Sequence, residues 1–192
     1  MPAMADFRYI NAALTRIGDD PITSLGSETA GSRIAAENYE TLIVNELSSY
    51  RWRWATKTAT LNLLGGTPAP PWTYAYQRPP DVLALRVVEV EGDAVDYEVQ
   101  FDKILTDQSE AAQVIAKYTW RPPEANWPGF FAEAIIQRLE SLFLRAVAHR
   151  YDEAEAREKS ALRAMSRARL MDAQSHTAGA PVTSPTLEAR RA

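Results

Sequence analysis

Between Trp127 and Val147 the chain reads WPGFFAEAIIQRLESLFLRAV. Phe131, Ile135, Leu139, Leu142 and Ala146 follow one another at steps of 4, 4, 3 and 4, the spacing that lines side chains along one face of an α-helix. Phe130, Phe143 and Val147 widen that face. Pro128 stands at the first turn, where its missing N–H costs nothing. A helical pattern of this strength resumes only after Pro122-Pro123, and what precedes it is different. The architecture turns on that contrast.

Working back, Arg51 to Leu61 is rich in Thr and Trp and alternates, as a strand does. A Gly/Pro loop from Gly65 to Pro71 separates it from Trp72–Tyr76. After Pro79-Pro80 come a β-branched run at Val82–Val90, an alternating piece at Tyr97–Phe101, then Ile104-Leu105 and Val114–Trp120. These read as five or six short strands of a small antiparallel sheet or barrel. Further back still, Phe7, Ile10, Leu14 and Ile17 form a helical stripe that Gly18 and Pro21 stop. Ser27 reads as the N-cap of a second helix over about Thr29–Tyr50. Beyond the opening segment, Asp152–Gln174 reads as a fourth helix with acid in its first turn and Arg163, Arg167 and Arg169 later, the order its macrodipole favours. The 17 residues His176–Ala192 have no periodicity and hold Pro181 and Pro185. Alone they are expected to be disordered, with a reach of roughly 55 Å when extended.

The expected class is therefore α+β: an antiparallel helical bundle with an inserted small antiparallel β region and an extended C-terminal tail. The expected units are residues 1–55 and 125–175 for the bundle, 56–124 for the β region and 176–192 for the tail.

Composition narrows the chemistry. The 192 residues are 46% apolar and 24% charged, with a net charge of −4 and no cysteine, which excludes disulfides, thiolate metal sites and cysteine nucleophiles. The two histidines, His149 and His176, leave little room for histidine catalysis. The longest uncharged run, Thr58–Gln77, holds two glycines and three prolines and cannot be a membrane span. Met1–Tyr9 lacks the basic head and apolar stretch of a signal peptide. The mild acidity argues against general nucleic-acid binding.

Three clusters invite a chemical reading. Asp81–Glu110 carries nine carboxylates and two bases; Glu89, Glu91, Asp93, Asp96, Glu98 and Asp102 fit no EF-hand spacing, and a solvated strand face is the simpler account, with a paired-carboxylate hydrolase as the alternative. His149, three residues before Asp152, has no nucleophile elbow to serve and suits a helix C-terminus. The tryptophans Trp52, Trp54, Trp72, Trp120 and Trp127 stand where helical and strand patterns meet, as junction core or as interface anchors. Base stacking by Arg51–Trp54 is disfavoured by the acidic surroundings.

Several blocks, in order, carry a resemblance. Asn11-x-x-Leu14-x-x-Ile17-Gly18-x-x-Pro21-Ile22-x-Ser24-Leu25 is similar to the opening of the tail tubular protein A family, the head-to-tail adaptors (connectors) of short-tailed phages. Trp52-x-Trp54-Ala55, Trp72-x-Tyr74-Ala75-Tyr76-x-x-Pro79-x-Asp81-x-Leu83 and Trp127-Pro128-x-x-Phe131 resemble later blocks of that family, so the likeness spans roughly residues 7–175.

The resemblance implies a structural virion protein, not an enzyme and without a cofactor. It implies a ring of identical subunits, usually dodecameric, that docks beneath the portal protein, joins it to the next tail component (a nozzle or tail-tube protein) and lines a channel through which genomic DNA passes unread. No membrane is involved, and the expected location is the virion neck, after assembly in the host cytoplasm. The expected portal-binding residues are Arg167, Leu170, His176, Val182, Leu187, Arg190 and Arg191; Trp52, Trp54, Trp72 and Trp120 are subunit-interface candidates. The alternatives are a cell-wall-degrading tail hydrolase acting through Glu89, Glu91, Asp96 or Asp102, and a cellular helical binding module.

Overall fold

The computed structural model describes residues 7–109 and 112–175. Helix α1 (Arg8–Ile17) ends at Gly18, whose left-handed backbone (φ 84°) only glycine adopts freely. The loop that follows is pinned by Asn11: its amide donates to the Ile22 carbonyl at 2.9 Å and accepts from the Ile22 N–H at 2.8 Å. Helix α2 (Ala30–Ser49) is capped by Thr29, whose hydroxyl accepts from the Ser32 N–H at 3.2 Å. The expected cap, Ser27, instead donates its hydroxyl to the Ser24 carbonyl.

Helix α3 (Gly129–Ala146) is the hub, packing against α1, α2 and α4 (Tyr151–Gln174). Helices α3 and α4 form an antiparallel hairpin, as the pairs Ser141–Ala154 and Gln137–Ser160 require. Its turn is closed by His149 in the left-handed region (φ 55°), with the Arg150 N–H reaching back to the Leu144 carbonyl at 2.9 Å. Ala154, Ala161, Met165, Ala168 and Asp172 are the buried stripe of α4. Its small residues let the two helices approach closely.

The middle of the chain forms seven strands in two antiparallel sheets: β1 (Thr56–Thr60), β2 (Tyr74–Gln77), β3 (Ala84–Val90), β4 (Asp93–Val95), β5 (Glu98–Gln100), β6 (Lys103–Thr106) and β7 (Val114–Thr119). The first sheet has the order β1-β7-β3-β4 and the second β2-β6-β5. Between Val90 and Asp93, Glu91 and Gly92 both have positive φ (54° and 97°), the geometry of a two-residue hairpin turn that follows the sheet twist. Leu61, Tyr76, Val82, Val88, Ile104, Val114, Ala116 and Tyr118 form a core of their own.

One bulge joins the two parts. The register of β3 on β7 shifts between Leu85 and Val87, so Arg86 is the extra residue, and a bulge re-aims the side chain it carries. Arg86 Nη2 donates to the Tyr50 and Ser48 carbonyls at 2.7 and 3.1 Å, while its Nε holds Thr119 Oγ1 at 2.8 Å. A cation thus sits on the unsatisfied carbonyls at the C-terminus of α2. Burial, with nearby Arg51 adding to it, lowers the Arg86 pKa.

The expected fold class is corrected. Among the described residues the chain is α+β with four helices and two antiparallel sheets, not an antiparallel helical bundle with a small insertion. Helix α3 makes the most extensive helix contacts, with α4 and α1, and the strands among the described residues number seven in two sheets, not five or six in one. The physical reason is the β core: two sheets bury apolar faces that no helix covers. The expected tail, 176–192, lies outside the described residues.

Candidate functional site

The acidic stretch resolves into separate structural roles. Glu89 pairs with Lys117 at 2.5 Å across the first sheet. Glu91 turns a hairpin, the Asp96 carbonyl accepts from the Thr106 hydroxyl at 2.9 Å, and Glu98 accepts from the Trp72 indole at 2.7 Å. Hydrogen bonds from Gln100 and Trp72 hold Glu98 below the usual carboxylate range. Asp81 receives Lys57 Nζ at 2.6 Å and the Tyr118 hydroxyl at 2.9 Å, and Lys57 also lies 3.6 Å over the Trp120 ring. Burial pushes Asp81 up, but these hydrogen bonds outweigh it and its pKa falls. Burial and the bond to Asp81 push Tyr118 up to about 12, so that hydroxyl stays protonated and donates to Asp81. The group braces β1, β7 and the loop before β3. Among the described residues no group of three His, Asp or Glu side chains could hold a metal ion, and no helix is long and apolar enough to cross a membrane. His149 lies in the α3–α4 turn, its ring 6.4 Å from that of Tyr151.

The tryptophans divide. Trp52 is fully buried, with its indole N–H donating to the Glu46 carbonyl at 2.9 Å. Trp52, Trp54 and Trp127 each lie about one ring-width from Phe131, at 5.0, 4.8 and 5.2 Å between centroids. That cluster is the core at the joint, so Trp52 presents no surface to a neighbouring subunit. Trp120 packs against the β core. Trp72 stands apart from the joint, beside a mostly polar recess of about 330 Å³ lined also by Asp96, Thr106 and Asp107.

Buried charge fixes the helices. Glu140, 1% exposed, receives Arg16 at 3.0 Å and Arg157 at 2.8 Å. Asp172, 1% exposed, accepts the Arg53 N–H at 2.9 and 3.2 Å, tying the last turn of α4 to the Trp52 turn.

What remains is surface. Among the described residues six large apolar side chains are exposed; Leu162 and Leu170 lie on one side of α4 and Met171 on the opposite flank of its buried stripe, Val99 and Phe101 share the β5–β6 hairpin, and the sixth is Tyr151. On α4, Arg163 and Arg167 stand in the same face (i, i+4), and neither pairs with another described residue. Of the expected portal-binding residues, Arg167 and Leu170 lie on this face, while His176, Val182, Leu187, Arg190 and Arg191 fall outside the described residues.

Phe101 is the other focus. It is 95% exposed at the tip of the β5–β6 hairpin, in the left-handed region (φ 53°), where a bulky residue is an outlier. Arg78 secures the tip: its N–H reaches the Asp102 carbonyl at 2.8 Å, and Nη1 and Nη2 reach the Phe101 and Val82 carbonyls at 3.3 and 2.8 Å. An open, mainly apolar groove of about 700 Å³ runs beside it, lined by Gln77, Arg78, Pro79, Pro80, Phe101 and Asp102. Sequence reasoning read Phe101 only as the end of a strand and Arg163 only as part of the helix charge order, and passed over Leu162 and Met171. The signal available was an aromatic between Gln100 and Asp102, at a turn position where a polar residue or glycine is usual. Comparison with protein-family models and with curated proteins finds no match.

Proposed function

We propose that this protein is a structural assembly subunit, a head-to-tail adaptor that forms a ring beneath a phage portal and joins it to the next tail component. The observation that carries the assembly reading is the exposure of large apolar side chains on two elements, Leu162 and Leu170 on the outer side of α4 and Val99 and Phe101 on the β5–β6 hairpin. Large exposed apolar groups beside polar ones mark protein contacts, and of the carboxylates that a hydrolase reading would use, Glu89 is engaged in an ion pair with Lys117. The adaptor reading adds the block resemblance. Its blocks coincide with scaffold positions: Asn11 clamps the α1–α2 loop, Tyr76 donates to the Gln108 carbonyl at 2.8 Å, Asp81 braces the first sheet, and Leu83 packs on the helical core. Portal docking falls to the residues that follow α4, 176–192, which contain Leu187, Arg190 and Arg191.

Native mass spectrometry of the full chain mixed with the portal protein encoded beside it tests this. A complex with as many adaptor subunits as the ring symmetry demands is the expected result. Removing 176–192 should leave a folded subunit that no longer binds the portal. No complex, together with absence of the protein from purified particles, would overturn the adaptor reading in favour of a cellular binding module.

A further inference from the structure

We infer that the Phe101 hairpin of one subunit docks on the outer face of α4 in a second copy of the same chain, and that this heterologous contact is the repeating joint of the assembly. The inference deepens the ring reading above and rests on it for its biological setting, though not for its test.

Three observations point to a second copy as the occupant. The two surfaces match in chemistry: Phe101 and Val99 offer an apolar knob, and Leu162 and Leu170, on the outer side of α4 with Arg163 and Arg167, offer exposed apolar side chains to receive it. They match in charge. Between Asp93 and Asp107 five carboxylates face one lysine, Lys103, whereas Arg163 and Arg167 stand unpaired among the described residues on the α4 face. Opposite potentials steer and register a contact. The knob is also built to stay in place, because a left-handed phenylalanine is held by hydrogen bonds from Arg78 and Gln77 to the carbonyls of Phe101 and Asp102. Strain of this kind persists where the surrounding structure over-determines it, and a pre-ordered anchor loses little entropy on binding.

Because the two surfaces are different parts of one chain, each subunit offers a knob and a receiving face, so contacts run head to tail and close into a ring when the rotation permits. The joint is small. An aromatic anchor buries about 150–250 Å² against about 800 Å² per partner in a standard interface, so a single joint should be weak and assembly should gain its stability from closure or from a template.

The full chain holds no cysteine, which allows a clean test. Lys103→Cys, beside the hairpin tip, and Ser166→Cys, between Leu162 and Leu170 on α4, place thiols on the two exposed surfaces. Mixed together and treated with a short bis-maleimide, the two variants should form a cross-linked heterodimer far in excess of the like-with-like product from either alone. Phe101→Gly should cut that yield about tenfold or more, the effect of losing one anchoring side chain, with an unchanged circular dichroism spectrum. Arg163→Glu with Arg167→Glu should abolish it, and Glu98→Lys with Asp102→Lys on the other partner should restore it. Equal like-with-like cross-linking, or no cross-link, overturns the inference. So does loss of portal binding by the Arg163/Arg167 pair with cross-linking intact, which would assign the α4 face to the portal. Cross-linking as expected without any portal complex would sustain this joint while the adaptor reading fails.

Discussion

The helical part and the β part are stabilised by different means. The helical part buries Trp52, Phe131, Phe143, Ile135 and Leu139 completely and threads carboxylates such as Glu140 and Glu46 between arginines from other helices. The β part has a smaller core and turns its hairpins through left-handed Glu91, Gly92 and Phe101. Burial holds the first; in the second, part of the stability goes into presenting a side chain that touches almost nothing. An assembly subunit needs both, a rigid frame and a contact element that the frame can carry.

The comparison breaks most visibly at Trp52. Trp52→Ala should cost about 3–5 kcal/mol, read by urea denaturation, because it empties the aromatic joint on which α2, α3 and the strand entry meet. A loss under 1 kcal/mol would mean that the joint is not a packed core. Next in size is Arg86→Ala, expected to cost about 2 kcal/mol through charge-assisted bonds to the α2 carbonyls. It should also separate one thermal transition into two, the β part melting apart from the helices. A single transition at unchanged temperature would refute the bulge as the link.

Phe101→Gly works in the opposite direction. Relief of the left-handed backbone should raise stability by about 1 kcal/mol, after the larger entropy of glycine in the unfolded chain is counted, while the side chain, 95% exposed, takes no burial with it. A destabilised variant would show that the aromatic ring has a folding role within the subunit.

The smallest effect concerns acid. Glu133 is held below its ordinary 4.5 mainly by the hydrogen bond from Arg16, and Asp81 below its ordinary 3.8, burial being outweighed by Lys57 and Tyr118. A depressed folded-state pKa contributes stability above the unfolded value, and that contribution is lost as the pH falls through the folded one. Stability should therefore decline below about pH 4.5. Both side chains are well exposed, at 45% and 39%, so screening keeps each contribution under about 1 kcal/mol. Glu133→Gln and Asp81→Asn should flatten the acid limb of a melting-temperature profile, and an unaltered limb would place the loss elsewhere.

How much was legible in advance follows from how each element is made. Helix α3 was readable because every third or fourth residue from Phe131 to Ala146 is apolar, and that period belongs to the chain alone. Strand β4 was not: Asp93-Ala94-Val95 has no strand preference and exists because Glu91-Gly92 folds it back on β3. The helix cap moved from Ser27 to Thr29, since both are good caps and only the local fold chooses. Trp72 read as a junction residue like its fellows, yet the second sheet carries it away to Glu98. The candidate surfaces were half visible: Arg167 and Leu170 stood out as charged and apolar residues of α4, whereas Phe101 is exposed only because a turn places it at a tip.

By itself the sequence determined the elements whose stability is local: four helices, the glycine stop after α1, a strand-rich middle, and the exclusion of cysteine chemistry. The tertiary structure decided the rest. It split the strands into two sheets with their own core, made α3 the hub in place of a bundle, aimed Arg86 at the carbonyls of α2, and left one phenylalanine in solvent. The physical reason is that strand pairing, bulge register and exposure depend on partners distant in the chain, whose contribution no local period records.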